Sequence, residues 1–437
     1  MARARGTAGR PAPAAFRRGL APRLSRRLPF YYGWIVLGGL CCAGFARQGG
    51  ATATFSVFVE PLTRDFGWSR TAISGAASLG GVLAALFSPL IGPLIDRHGA
   101  RLALSLAALG TGAATLLLAH TRSLWMFYAL FCVARLNWAS PFELGIYGTL
   151  NNWFVARRPL ANSIATIAQM VGLMAMPLIA QLAMRGHDWR AGWTAIGLSV
   201  LAVGLLPVWL LLVRRPEDLG LVPDHAPRAV PVTGGVPGGA GEPAFSRRQA
   251  VRTSAFWLLL AYTVLVYPVQ AGVSLHQAAN LIEHGVSPTV TASIVSLFSL
   301  MSGLASAACG LMPRTMPVRY PMALVGGLLT AGCVAMIAIA SPLEGALASA
   351  LFGLGIGGML TLLPIAWADY FGRANYAAIR GLALSAQVVA QAAGPVASGV
   401  LRDWTGSYTR SLELFALLSL ASIVAALAAH RPRPQPG

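Results

Sequence analysis

The chain has 437 residues, of which 56% are hydrophobic and only 11% charged. A soluble domain carries about 25% charged residues, so too few remain here to coat a water-facing surface. The net charge of +19 would suggest a nucleic-acid partner in a soluble protein; here all 33 basic residues other than histidine are arginine, and their placement between apolar runs excludes that reading.

Residues 1–29 hold eight arginines and no acid. They read as a disordered basic tail near anionic lipid. The run that follows is too long for the core of a cleaved signal peptide. Apolar runs then recur at 32–58, 71–94, 102–119, 123–148, 160–183, 193–213, 255–277, 289–311, 321–340, 345–367, 378–400 and 411–429. Crossing a bilayer core takes about 20 apolar residues. The first and fourth runs exceed that and read as long tilted helices. A Pro/Gly-rich stretch, 214–254, divides the runs six and six and reads as a flexible linker.

The expected fold is therefore all-α and integral to the membrane, with twelve helices in two pseudo-symmetric halves, 30–213 and 255–430, and a short tail, 431–437. With the N-terminus inside, the inner segments hold 24 arginines and the outer ones 7: Arg64, Arg70, Arg122, Arg185, Arg190, Arg402 and Arg410. That asymmetry predicts an inner-membrane protein with both termini and the linker cytoplasmic. Cys41, Cys42, Cys132, Cys309 and Cys333 all fall within the runs and read as small apolar packing residues, not disulfides or metal ligands.

Between the second and third runs stands Gly92-Pro93-Leu94-Ile95-Asp96-Arg97-His98-Gly99-Ala100-Arg101. Gly92 and Gly99 permit a tight reversal or close helix approach. Pro93 interrupts the end of the second span. Asp96 can accept hydrogen bonds or favour a helix N-terminus, and a turn needing only positive charge has no use for it. Gly310 and Arg319 repeat the Gly92 to Arg101 spacing 218 residues later, with Arg314 in the Asp96 position and Pro317 in the Gly99 position.

The Gly-x-x-x-Asp-Arg-x-Gly-x-Arg pattern resembles the signature loop of the major facilitator superfamily. Tyr31-Tyr32-Gly33-Trp34, Phe66-Gly67-Trp68-Ser69-Arg70, Arg215-Pro216-Glu217-Asp218-Leu219-Gly220, Phe256-Trp257, and Gly394-Pro395 with Asp403, Gly406, Ser407 and Tyr408 are similar to its monocarboxylate and oxalate/formate branch. The resemblance runs from about residue 30 over nearly the whole chain. It implies a secondary transporter with its substrate site near the midplane between halves. It also implies a gate at Gly92, Asp96, Arg97, Gly99 and Arg101 that latches the cytoplasmic ends of the two halves.

Ionisable residues deep in spans are functional candidates. Arg47 lies 15 residues past Tyr32, about 22 Å along a helix; Arg135 lies 13 past Arg122, about 20 Å in from the other side. The resemblance places the first and fourth spans on a central cavity, where both guanidinium groups converge at similar depth. Such a pair reads as an anion site, since the planar fork binds a carboxylate bidentately. Structural pairing is the alternative for Arg135. Glu143 is eight residues from Arg135, about 12 Å along the helix and too far to pair with it. It is a proton-coupling candidate, with partnership to another helix's arginine as the alternative. His276, toward the outer end of the seventh span, is the second proton candidate. Tyr267, Gln270, Gln387 and Gln391 are candidate substrate contacts; the last two share a helix face. Trp367 and Asp369 read as interfacial anchors.

Carboxylate carriers of the resembling branch commonly place a cation in the eighth or eleventh span, and 289–311 and 381–400 hold none. The Gly-Pro of the eleventh span is matched by Met176-Pro177 in the fifth, a departure from the antiporter pattern. There is no phosphate-gripping loop, zinc-type His-Glu-x-x-His or Gly-x-Ser-x-Gly elbow. The expectation is a non-enzymatic, cofactor-free monomer that moves a small organic anion, a mono- or dicarboxylate, by proton symport or anion exchange. A proton-coupled drug or metabolite exporter and a non-transporting membrane sensor are the alternatives.

Overall fold

The computed structural model describes residues 20–224, 244–313 and 315–432. Gly33–Arg47 with Thr52–Phe66, Arg70–His98, Ala100–Leu118, Leu124–Ala139 with Pro141–Trp153, Arg158–Met184, and Trp189–Leu211 form spans one to six. Ser254–Glu283, Pro288–Gly310, Arg319–Ala335, Pro342–Phe371, Tyr376–Thr405 and Thr409–Ala428 form spans seven to twelve. Hydroxyl caps start four of them: Ser69 accepts from the Ala72 N–H, Ser123 from Met126, Thr253 from Phe256 and Ser341 from Glu344. Each satisfies a donor that the first helical turn leaves unpaired.

The first and fourth spans are not the long tilted helices expected. Each is broken in the middle. After Arg47 the chain tightens into a 3₁₀ turn, Gln48–Gly50, and Ala51 is extended (φ −74°, ψ 151°). Gly50 is required there, because a Cβ on it would lie 2.5 Å from the Ala134 carbonyl oxygen. The Thr54 hydroxyl donates to the Gln48 carbonyl at 2.7 Å, replacing a lost helical bond. In the fourth span Pro141 lacks an N–H and drives the preceding residue out of the helical region; Ser140 has φ −125° and ψ −73°. The two breaks pack together, Gly50 also lying against Trp138.

The first half buries one apolar cluster on each side of these breaks. Tyr32, Leu104, Trp153 and Phe154 belong to one; Phe55, Phe58, Phe131 and Trp193 to the other. Phe58 and Trp193 stack with centroids 3.9 Å apart, worth about 0.5–1.5 kcal/mol beyond area burial. The second half has a single large cluster that includes Leu259, Tyr262, Phe352, Trp367 and Phe371. Leucines such as Leu86, Leu90 and Leu94 stay exposed, as a lipid-facing surface requires.

The halves meet at the face carrying both linker ends, called the basic face below. Gly92 in the second span sits against the backbone of Ala377 and Ala378 at the start of the eleventh, leaving no room for a side chain. Further along, the Ser385 hydroxyl donates to the Ala85 carbonyl at 2.5 Å. Gly310, its counterpart in the sequence repeat, ends the eighth span against Ser163 at the start of the fifth. The repeated glycine thus does the same job in both halves. Arg314 lies outside the described residues.

Three sequence expectations need correction here. The signature segment is not a loop: helix runs to His98 and restarts at Ala100, and Gly99 alone reverses the chain (φ 89°). The linker is not flexible throughout, since 214–224 and 244–254 are ordered and docked; 225–243 lie outside the described residues. Within the tail, Leu20–Arg27 is a helix whose Leu24 packs on the first-half core; residues 1–19 and 433–437 are not described.

Candidate functional site: an arginine-rich cluster in the interior

The helix breaks explain how charge is held in the interior. Arg47 is in the last turn of Gly33–Arg47 and Glu143 in the first turn of Pro141–Trp153. A cation at a helix C-terminus and an anion at an N-terminus are both favoured by the helix dipole. The two meet at 2.7 Å, each side chain 9% exposed. Breaking the fourth span also frees the Trp138 carbonyl, which accepts from Arg47 Nε at 2.8 Å. Arg47 Nη1 donates to Gln169 Oε1 on the fifth span. Gln169 Nε2 donates to the Tyr147 hydroxyl at 3.0 Å, and that hydroxyl lies 3.2 Å from Thr166 Oγ1. Arg47 is therefore a compensated cation. Glu143 is its partner, the alternative that sequence reasoning left open.

Arg135 differs. It is half-buried, and its Nε and Nη1 are fully buried with no hydrogen-bond partner among the described residues. Its guanidinium carbon lies 4.1 Å from the Trp138 ring centroid, and that of Arg47 lies 4.6 Å from the same ring. The indole is fixed by its Nε1–H, which donates to Gln48 Oε1 at 3.2 Å. The two guanidinium groups expected to converge do so, with the aromatic ring as their shared support. Gly80 makes room for Arg135: a Cβ there would lie 2.6 Å from the arginine's own Cβ.

Another interior cation sits in the second half. Arg380 belongs to the eleventh helix, Tyr376–Thr405, and is 1% exposed. The eleventh span therefore does carry an arginine, one residue before the interval that sequence reasoning found empty. Its Nη2 donates to Gln387 Oε1, while Nε and Nη1 are buried without partners among the described residues. Trp367 is no interfacial anchor; it is 1% exposed beneath Arg380, 5.8 Å from ring to guanidinium. Tyr267 lies within electrostatic reach of Arg380, Glu143 and Arg47. Gln391 Nε2 donates to Gln270 Oε1 at 3.2 Å, joining the seventh and eleventh spans. His276 is apart from the cluster, with Nε2 3.4 Å from the Pro395 carbonyl and its ring against Tyr408.

Two ion pairs cross the halves at the basic face, Arg158 with Asp369 and Arg373 with Glu217. Asp369, also expected as an anchor, instead binds Arg158 across the halves at 2.5 Å. Asp96 accepts from the N–H groups of Ala377 (3.2 Å) and Ala378 (2.7 Å), capping the eleventh span from the other half. Arg97 is exposed, and Arg101 stays in the first half with its guanidinium 4.8 Å from the Trp209 ring. Sequence reasoning missed Arg380, Trp138, Gln169 and Tyr147. Only Trp138 carried a signal, at i+3 from Arg135.

A sequence profile of the Major Facilitator Superfamily matches residues 40–281. The chain belongs to that superfamily. It is 26% identical over 389 residues to monocarboxylate transporter 3 of Rattus norvegicus, covering 86% of this chain and 75% of that one. It is equally similar, 26% over 390 residues and 86% of each chain, to the membrane sensor protein UhpC of Escherichia coli strain K12. Among solved structures, the proton:xylose symporter XylE superposes with a TM-score of 0.73 over 90% of this chain and 94% of that one, at 12% identity. The human organic anion transporter MFSD10 gives 0.69 over 92% and 100%, at 15% identity. The chain is thus a multi-pass membrane protein of a transporter superfamily.

Proposed function

We propose that this superfamily member is a secondary transporter that moves a small organic anion, a mono- or dicarboxylate, by alternating access. The observation that carries the reading is charge imbalance: Arg47 and Arg380 are buried and Arg135 half-buried, and among the described residues only Arg47 has a carboxylate partner, Glu143. An uncompensated cation in a low-dielectric interior is costly and is retained where it serves function. A carboxylate offers Arg135 the acceptors that its Nε and Nη1 lack. Glu143 provides the coupling step. Its protonation would release Arg47, so a proton and an anion can load together; an exchanger would instead keep the pair and swap anions. The arginine count supports a basic face in the cytoplasm, and a monomer suffices because the cluster is complete within one chain.

The sensor reading is favoured by the similarity to UhpC, and it fits the same cluster with binding but no flux. Uptake into proteoliposomes, screened over mono-, di- and tricarboxylates with and without a pH gradient, separates these outcomes. Saturable carboxylate uptake is expected. Binding without flux would favour the sensor, and uptake restricted to cations or neutral compounds would overturn the anion reading.

A further inference from the structure

The Arg215-Pro216-Glu217-Asp218-Leu219-Gly220 motif has no part in the central site, yet its surroundings are specific. Asp224, 6% exposed, accepts from three successive backbone N–H groups, Val155 (2.5 Å), Ala156 (3.1 Å) and Arg157 (2.7 Å). Its own N–H donates to the Trp153 carbonyl at 3.3 Å. Leu219 and Leu221 pack on the first-half core. The far end of the segment is thus anchored to the connection between the fourth and fifth spans. Its near end reaches the other half. Glu217 pairs with Arg373 at 2.7 Å, and Arg215 Nη2 donates to the Ala374 carbonyl at 3.4 Å. Arg373 also donates to the Asn152 carbonyl at 3.1 Å.

Arg373 and Ala374 lie in the turn before the eleventh span, immediately ahead of the residues that Asp96 caps. The other linker end holds the same turn. Asn375 Nδ2 donates to the Phe245 carbonyl at 2.8 Å, the Phe245 N–H donates to the Phe371 carbonyl at 3.2 Å, and Arg247 reaches the Pro89 carbonyl at 3.2 Å.

We infer that residues 214–224 form a strap, permanently anchored at Asp224 and releasable at Glu217, that holds the basic face shut and so sets how often it opens. The asymmetry of the contacts carries this. The anchor is buried and made to backbone donors of one half, whereas the Glu217 side chain is 43% exposed and its partner belongs to the other half. Opening the basic face must separate Glu217 from Arg373 but need not disturb Asp224. The strap rests on the transporter reading only in that this face opens.

The test needs no substrate, so its failure and that of the anion reading are distinguishable. Ser163→Cys, in a chain whose five native cysteines are changed to alanine, places a thiol at the closed contact with Gly310. Maleimide labelling of the detergent-solubilised protein then reports opening. Glu217→Ala should speed labelling about two- to five-fold, the range expected for a partly exposed ion pair. The charge swap Glu217→Arg with Arg373→Glu should restore the slow rate. An unchanged rate in Glu217→Ala, or a raised rate that the swap leaves raised, overturns the strap. Should the cysteine-free background not fold, hydrogen exchange of 155–163 and 372–380 in Glu217→Ala alone discriminates in the same way: faster exchange in both segments supports the strap, and unchanged exchange overturns it.

Discussion

Buried and half-buried arginines occur in two regions of this molecule, and the regions partner them differently. At the basic face Arg158 has a carboxylate partner across the halves, and Arg373 has Glu217. In the interior three arginines have one ion pair among them, Arg47 with Glu143, and four N–H nitrogens, two on Arg135 and two on Arg380, are buried without acceptors among the described residues; at the basic face Arg158 and Arg215 each leave one nitrogen, Nε, in that state. The difference separates two uses of the same side chain. A paired arginine holds two helices in register. In the proposed site, an unpaired one would keep its hydrogen-bonding capacity for an anion that arrives and leaves. The basic face is thus richer in ion pairs, and the proposed site in unmet donors.

Substitutions that remove one charge from each region put this contrast at risk. Arg158→Met should destabilise the protein by about 3 kcal/mol, because it removes the buried ion pair that joins Asp369 to the other half; thermal unfolding of the purified protein in detergent would show it. Arg135→Gln should lower anion uptake about 100-fold, the loss of a charge-assisted bidentate contact, with little change in membrane insertion. Arg135→Met should raise thermal stability by about 1–2 kcal/mol, since it removes a cation with no partner. If Arg135→Met destabilises as much as Arg158→Met, the two regions are alike and the contrast fails. Glu143→Gln frees Arg47 and should tighten anion binding by about ten-fold while removing any response of uptake to a pH gradient. A gradient response that survives places the proton elsewhere. Release of the strap at Glu217 is the smallest effect of the set.

Much of the architecture was legible in the chain. Uncharged runs gave the twelve spans, and the Pro/Gly-rich stretch gave the division between halves, because lipid requires both long apolar helices and polar connections. Arg47 and Arg135 stood out because a charge inside an apolar run is rare. The helix breaks were less visible. Gly49-Gly50 and Pro141 read as tolerated irregularities of membrane helices, and only the packing of Gly50 on Ala134 shows that both chains must bend at one level. Glu143 could not be assigned to Arg47 from sequence, since the pair is 96 residues apart in the chain and is created by those breaks. Arg380 was missed at a boundary. Its helix begins at Tyr376, so a residue one turn inside appeared to lie at the end of the eleventh run. The docked linker ends were hidden by composition, because Pro, Gly and charge also describe a segment that is held by backbone donors.

The proposed site depends above all on Arg135 being kept unpaired for an anion. Equilibrium binding of carboxylates to the purified protein, wild type beside Arg135→Gln and with Glu413→Gln as a surface control, tests this without any assumption about flux. Saturable binding by wild type and control is expected, with a loss of about 100-fold in Arg135→Gln. Equal affinity of Arg135→Gln and wild type for the same anion would contradict it.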